Sequence, residues 1–300
     1  MWKSCALRLR TGVCLGLTLL LTSVGATEVT HNCFPNNGFH EVKTIIFDPQ
    51  PVISSELGQA IREHLVEIYS HELGLRGSAL KIFETENMQF AAYAARGFSG
   101  EYNVEIYKGV RYHHLMTPDA YALIACHEIG HHLGGFPQKR GSYWAAVEGQ
   151  ADYYANLKCL RRYLKDGPPK SSAPPAYAME LVDQCHRSYK EGKEVTVCLR
   201  ALQAARELGA VLGDLDGGSS PPDLASEDRS QAVETMDSYP SPQCRVDTLR
   251  AGALCPASQA EPLSSTDPRP GACTREYFPE WSRPNCWYFP GAFSLALVGE

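Results

Sequence analysis

The sequence predicts an α+β fold, mainly helical, with a small sheet packed beside one central apolar helix. Three observations predict it. Leu57, Ile61, Leu65 and Ile68 recur at helical spacing, and further stretches downstream repeat the pattern. Between residues 79 and 110 the period changes to strand-like alternation, as in Val104-Glu105-Ile106-Tyr107. Thr117-Pro118-Asp119 then opens a helix whose middle, Tyr121 to Cys126, is almost wholly apolar. A chain of 300 residues with 44% hydrophobic content can form one or two domains around a sizeable core.

Residues 1–26 have the parts of a secretory signal peptide: Lys3, Arg8 and Arg10, then the apolar run Val13 to Leu21, then small residues at Val24-Gly25-Ala26. That run is too short to span a bilayer comfortably, which favours cleavage over an N-terminal anchor. No later stretch is long and apolar enough to span, so no stable membrane insertion is expected after cleavage. The expected location is exported, periplasmic or extracellular. Cleavage removes three positive charges and no acids, taking the net charge from -6 to -9. No basic stripe interleaved with aromatics is present, so nucleic acid is not an expected partner.

Residues 27–53 read as an extended N-terminal segment. Ser54 and Ser55 can cap the first helix, which Gly74 ends. Strands are expected at Leu80-Lys81-Ile82-Phe83 and at 104–107, with a turn near Gly97 and Gly100. The helix opened by Thr117 ends at Gly134-Gly135. Another helix is expected from near Ser142, carrying Glu148, Asp152 and Cys159 up to Gly167-Pro168-Pro169, with two more over roughly 175–190 and 194–212. Residues 54–212 thus form the main domain. Residues 213–243, rich in Gly, Ser, Pro and Asp, read as a linker or long surface loop. Residues 244–300 are short on periodicity and hold four cysteines, so disulfides are expected to order them.

Of eleven cysteines, Cys5 and Cys14 lie in the signal, and nine remain. An oxidising compartment makes disulfides the expectation. Cys126, inside the central helix, is expected to be the unpaired one, a buried small apolar residue. Local pairs Cys185–Cys198 and Cys244–Cys255 are expected among the rest. No CxxC pair exists to build a cysteine-based zinc site, and no N-x-S/T sequon occurs.

His127-Glu128-Ile129-Gly130-His131 spells HExxH. On a helix the two histidines leave the same face and can reach one metal ion. Glu128 is rotated off that face but can reach a water on the metal, the arrangement of a zinc-activated water with a carboxylate general base. The surrounding helix is core, where two histidines and a glutamate are costly to bury without a metal or partners. The expected cofactor is therefore zinc, one per chain. A third ligand is needed. The pattern HExxHxxGxxH is matched at Gly134 but fails at Pro137, where its third histidine belongs. A glutamate from the following helix is the other solution, and Glu148 supplies it. Asp152 lies one turn further on the same face. It is expected to accept a hydrogen bond from the other ring nitrogen of a ligand histidine, His127, fixing its tautomer. Gly149 and Ala151 are small and are expected to let the two helices approach closely.

HEIGHHLGG followed by Glu148-x-x-Ala151-Asp152 resembles the gluzincin metallopeptidases of the CAAX-prenyl-protease, HtpX and OMA-type family. Met88-Gln89-Phe90-Ala91 with Val104 to Gly109 is similar to that family's N-A-F-A and strand element, departing at Met88-Gln89. Ser238-Tyr239-Pro240 with Arg245-Val246, within 238–249, is similar to its T-H-P and R-I element. The likeness covers roughly 54–250. It implies a zincin-like fold and hydrolysis of peptide bonds in a protein or peptide substrate, with His127, His131 and Glu148 on zinc and Glu128 as base. Many members are membrane proteins and this chain is not, so CAAX processing is not implied. Soluble periplasmic members acting on misfolded or partly assembled envelope proteins are the nearer analogy. The cysteine-rich C-terminal segment has no counterpart.

Where the family has a histidine, this chain has Tyr239, whose hydroxyl can donate to a developing oxyanion; Arg245 and His113 are the next candidates. His132 points off the ligand face, toward solvent or a supporting role, and His113 and His114 read as surface residues. The rival to a metallopeptidase is a non-catalytic secreted module whose zinc only holds two helices together. A structural zinc takes four protein ligands and only three can be named, which favours an open catalytic site.

Overall fold

The computed structural model describes residues 31–32, 49–167, 179–217 and 220–291. The expected signal peptide and most of 27–53, including Cys33, lie outside the described residues.

One short strand begins the sheet at its edge. β1 (His31–Asn32) precedes helix α1 (Ser55–Gly74), whose N-cap Ser54 accepts a hydrogen bond from the Leu57 amide at 3.2 Å. Ile61, Leu65, Tyr69 and Leu73 form its buried stripe. Strands β2 (Leu80–Thr85), β3 (Ala92–Arg96) and β4 (Tyr102–Tyr107) follow. The sheet order is β1-β3-β4-β2, with β2 parallel and β3 antiparallel to β4, and β1 antiparallel on the outer edge of β3.

Helix α2 (Pro118–Leu133) is the central element predicted from Thr117-Pro118-Asp119. Thr117 Oγ1 accepts from the Ala120 amide at 3.1 Å, and every residue from Ala120 to His132 is buried. It packs on the sheet on one side and on later helices on the other. The chain leaves it at Gly135 (φ 69°), where a Cβ would stand 2.3 Å from the Ser264 carbonyl. Only glycine fits there.

The next helix starts later than the sequence suggested. Ser142 uses its hydroxyl to accept from the Trp144 and Ala145 amides, closing a turn instead of capping a helix. Residues 136–147 make a small antiparallel loop through Lys139 N–H to Ala145 O, Val147 N–H to Pro137 O, and a Gln138–Ala146 bridge. Helix α3 (Glu148–Tyr154) then begins at the candidate ligand itself. It continues through a π turn (Ala155–Cys159) into α4 (Leu160–Asp166), which stops at Gly167. Helices α5 (Met179–Ser188) and α6 (Gly192–Asp216) match the two expected further on.

Residues 220–241 are irregular, as a loop should be, but they do not hang free. Pro222 packs on Gly209 and Gly213 of α6, and the Met236 amide donates to Trp287 O. Helix α7 (Pro242–Leu254) follows, in a stretch assigned to disulfide order alone. Its Val246, Leu249, Ala253 and Leu254 join the main core. The helix is buried over most of its surface, so no one-sided period marks it in the sequence.

Among the described residues the disulfides are Cys126–Cys159, Cys185–Cys198, Cys244–Cys286 and Cys255–Cys273. The Cys185–Cys198 expectation holds. Two others are corrected. Cys126 is bonded, because the π turn brings Cys159 against α2 at a Cα–Cα distance of 5.4 Å. Cys244 and Cys255 stand at opposite ends of α7, roughly 16 Å apart along its axis, too far to bridge. Four disulfides fit a chain that folds in an oxidising compartment. Among the described residues no helix is long and apolar enough to cross a membrane. The architecture is α+β, mainly helical, with the small sheet beside α2.

Candidate metal centre

Two helices meet at the centre because each presents bare backbone. A Cβ on Gly130 of α2 would be 2.7 Å from the Ala151 carbonyl of α3, so the helices touch at glycine against alanine. Ala151 thus has the expected role. Gly149 does not face α2; it faces Trp287 of the C-terminal segment.

This contact brings His127, His131 and Glu148 together, all at 0% exposure. His127 Nε2 lies 3.4 Å and His131 Nε2 3.7 Å from Glu148 Oε2. The opposite ring nitrogens are both engaged. His127 Nδ1 is 2.6 Å from Asp152 Oδ1, and His131 Nδ1 is 2.7 Å from the Ala146 carbonyl. Both partners are acceptors, so both Nδ1 atoms carry protons, and the Nε2 atoms of both rings turn toward Glu148. Asp152 therefore does what the sequence predicted, on the predicted histidine.

Asp152 is itself held by Arg245 of α7, through Nε to Oδ2 at 2.7 Å and Nη2 to Oδ1 at 2.8 Å. Arg245 is 3% exposed. It engages the Nδ1 side of His127, away from Glu148, and so is not placed as an oxyanion donor. It supports the carboxylate that supports the histidine.

The electrostatics follow from this packing. Burial penalises every charge, yet the adjacent histidines and Lys139 hold the Glu148 carboxyl down at about 2. For His127, burial is outweighed by Asp152 and Glu148, which lift the ring to about 9. His131 has no such carboxylate on its Nδ1, and burial drives it down to about 3. Burial opposes ionisation of Asp152 too, but Arg245 and His127 keep it well below the usual carboxylate range.

The set fits a small divalent cation. Glu148 Oε2 is buried and faces two imidazole nitrogens, His127 Nε2 and His131 Nε2. Ligand atoms about 2.0–2.1 Å from a tetrahedral ion lie roughly 3.3–3.4 Å apart, close to the separations found. His127, His131 and Glu148 could hold a metal ion.

Around this centre, Glu128 is also wholly buried, one residue beyond His127 on α2. Tyr93 of β3 is near enough that the Glu128 charge, after burial and the Tyr107 and Glu105 neighbours, helps raise its hydroxyl pKa. The β3 strand therefore borders the centre. His132 does not face solvent. It is stacked between Tyr102 and Trp144, with Nε2 3.0 Å from Asn103 O. His113 is not a surface residue either; it is fully buried, with Nε2 3.2 Å from Asp214 Oδ2 near the end of α6. Tyr239 is half-buried, its ring centroid 6.0 Å from Lys139 Nζ.

Lys139 is the residue the sequence reading missed. Its Nζ donates to Glu148 Oε1 at 2.9 Å. It sits on a loop, where no period marks a side chain as inward-facing. Its only signal was position, a lone lysine between the histidine pair and the glutamate. Comparison with known families, curated proteins and solved structures finds no match for the chain, so the chemistry rests on these residues themselves.

Proposed function

We propose that the chain is an exported zinc-dependent metalloendopeptidase of zincin-like fold, related to the gluzincins that its HExxH and ExxAD motifs resemble. One observation carries the reading. Three buried ligand side chains converge, a number that leaves a zinc one position short of a closed site, and a carboxylate on the next residue accompanies them.

Zinc, when bound, supplies Lewis acidity that polarises a carbonyl and makes a water easier to deprotonate. The rest falls to the chain. Glu128 takes the proton of the attacking water and delivers it to the departing amine nitrogen. Asp152 keeps the proton of His127 at Nδ1, and the Ala146 carbonyl does the same for His131, so both Nε2 atoms remain ligands. Tyr239 is proposed to donate its hydroxyl proton in a hydrogen bond to the carbonyl oxygen as charge develops there. The substrate class is protein or peptide, and the oxidising compartment that suits the disulfides supports export.

The full burial of every ligand also suits the rival, a zinc that only ties α2 to α3. The deciding experiment measures zinc content and casein hydrolysis with and without a chelator, for wild type and Glu128→Gln. One zinc per chain with chelator-sensitive hydrolysis, lost in Glu128→Gln while zinc is kept, supports the enzyme. Zinc without hydrolysis in either protein leaves the structural module.

A further inference from the structure

We propose that Lys139 is a positioning residue that makes Glu148 a one-oxygen ligand and so keeps a place open at the metal. This rests on the metal reading above. A carboxylate can offer an ion one oxygen or two, and the two modes leave different room beside it.

Glu148 has its oxygens assigned to different tasks. Oε2 faces His127 Nε2 at 3.4 Å and His131 Nε2 at 3.7 Å. Oε1 accepts from Lys139 Nζ at 2.9 Å, where the carboxylate is fully buried and the lysine side chain is only 14% exposed. A charge-assisted hydrogen bond in such surroundings is among the stronger kinds. For Oε1 to turn onto a metal it would have to abandon that bond inside a low-dielectric site.

The lysine is itself anchored. Its amide donates to Ala145 O at 2.8 Å, and its carbonyl accepts from the Ser142 amide at 3.0 Å. The next residue, Ala146, offers its carbonyl to His131 Nδ1. One short loop therefore orients two of the three ligands, Glu148 through a side chain and His131 through a carbonyl. Tyr239 lies over the ammonium at a distance that suits a cation–π contact.

With one oxygen from Glu148, the protein supplies three donor atoms and a fourth position stays free for water or a substrate carbonyl. With two, that position is crowded and the coordination number rises. Lys139 acts through Glu148 and not on the substrate.

The test substitutes cobalt(II) for zinc in the full mature protein and reads its visible absorption, which is much stronger for four-coordinate than for five-coordinate cobalt. Wild type is expected to take up one cobalt with the intense four-coordinate spectrum. Lys139→Met should still take up one cobalt but lose intensity several-fold. Its kcat should fall about ten-fold or more, with KM little changed. Lys139→Arg, which can still donate to Oε1, should restore the spectrum. An unchanged spectrum in Lys139→Met overturns this inference and leaves the metallopeptidase reading standing; so does loss of cobalt by a folded Lys139→Met. If that variant fails to fold, wild type alone decides, since a five-coordinate spectrum there overturns the inference. A wild-type protein that binds neither cobalt nor zinc overturns both readings.

Discussion

A Cβ on Gly149 would stand 2.2 Å from Cδ2 of Trp287, so the fully buried indole lies directly on the backbone of α3. Gly149 follows Glu148, and Trp287 follows Cys286, whose disulfide partner Cys244 precedes Arg245. The C-terminal segment thus clamps both the candidate third ligand and the arginine behind Asp152. Gly149→Ala should force the indole off the helix or tilt α3. The expected cost is about 1–3 kcal/mol, the range for overpacking a filled core, with weakened metal binding. Denaturant melts with and without added zinc measure both. Wild-type stability in Gly149→Ala would show that the indole moves aside freely.

Arg245→Met addresses the support of His127 from the other side. Asp152 is 0% exposed and receives two hydrogen bonds from this guanidinium. Removing one member of a buried ion pair costs about 3–5 kcal/mol, because the remaining charge stays buried. Zinc affinity should fall as well, by about 10–100-fold as for other groups behind a ligand histidine. Denaturation and competition with a chromophoric chelator provide the two numbers. Undiminished zinc affinity would mean that Asp152 orients His127 unaided.

The Cys126–Cys159 bond crosslinks α2, at the residue before His127, to the helical rod that begins at Glu148. Closing a loop of this size in the unfolded chain is worth about 3–4 kcal/mol on the chain-entropy estimate. The double variant Cys126→Ala/Cys159→Ala should lose about that much stability. It should still bind one zinc, because Gly130 against Ala151 holds the two helices together without the crosslink. Unreduced peptide mapping checks the bond, and metal analysis of the double variant checks the rest.

The sequence disclosed those parts of the site that lie on regular helices. His127, His131, Glu148 and Asp152 could be related by turn geometry, because α2 and α3 obey it. What escaped lies where no period operates. Lys139 and the Ala146 carbonyl sit on a loop whose folding depends on pairing with itself across five residues or more. Arg245 was noticed, but its role depended on α7, whose all-round burial hid it. The cysteine errors share one cause. Spacing along the chain says nothing of a helix between two cysteines, as in α7, or of a distant one laid alongside, as at Cys159.

Lys158 gives the fold a pH dependence of its own. It is 2% exposed on the π turn, and its ammonium donates to the Ser258 carbonyl in the C-terminal segment. Burial, then the neighbouring Arg161 charge, push its pKa from the ordinary 10.5 down to about 8. Below pH 8 both folded and unfolded chains hold the proton, and folding bears the full penalty of burying the charge. From there to 10.5 the folded chain releases the proton while the unfolded chain keeps it, so stability rises with pH across that window. Lys158→Met should remove this rise and stabilise the protein at pH 7, on the order of 2 kcal/mol. Urea midpoints for both proteins between neutral and alkaline pH make the comparison. A parallel rise in the variant would assign the slope to another group.

Tyr239 remains the residue whose proposed part in catalysis most needs a direct test. Attack on a peptide carbonyl places negative charge on its oxygen, and a positioned donor there is typically worth about 3–4 kcal/mol. The two fallback donors have lost their standing. Arg245 spends Nε and Nη2 on Asp152. His113 is buried beside Asp214, before the start of α2, and the helix rises roughly 13 Å from Pro118 to His127. Tyr239 is half-buried, with its ring centroid 6.0 Å from the Lys139 ammonium that donates to the candidate ligand Glu148. Tyr239→Phe removes the hydroxyl and keeps the aromatic face over the ammonium, which separates the two contributions. The expected result is a fall in kcat of about 100-fold, with KM and zinc content near wild type. A fall in zinc content instead would make the tyrosine a support for Lys139. An unchanged kcat would leave the developing charge to the metal alone.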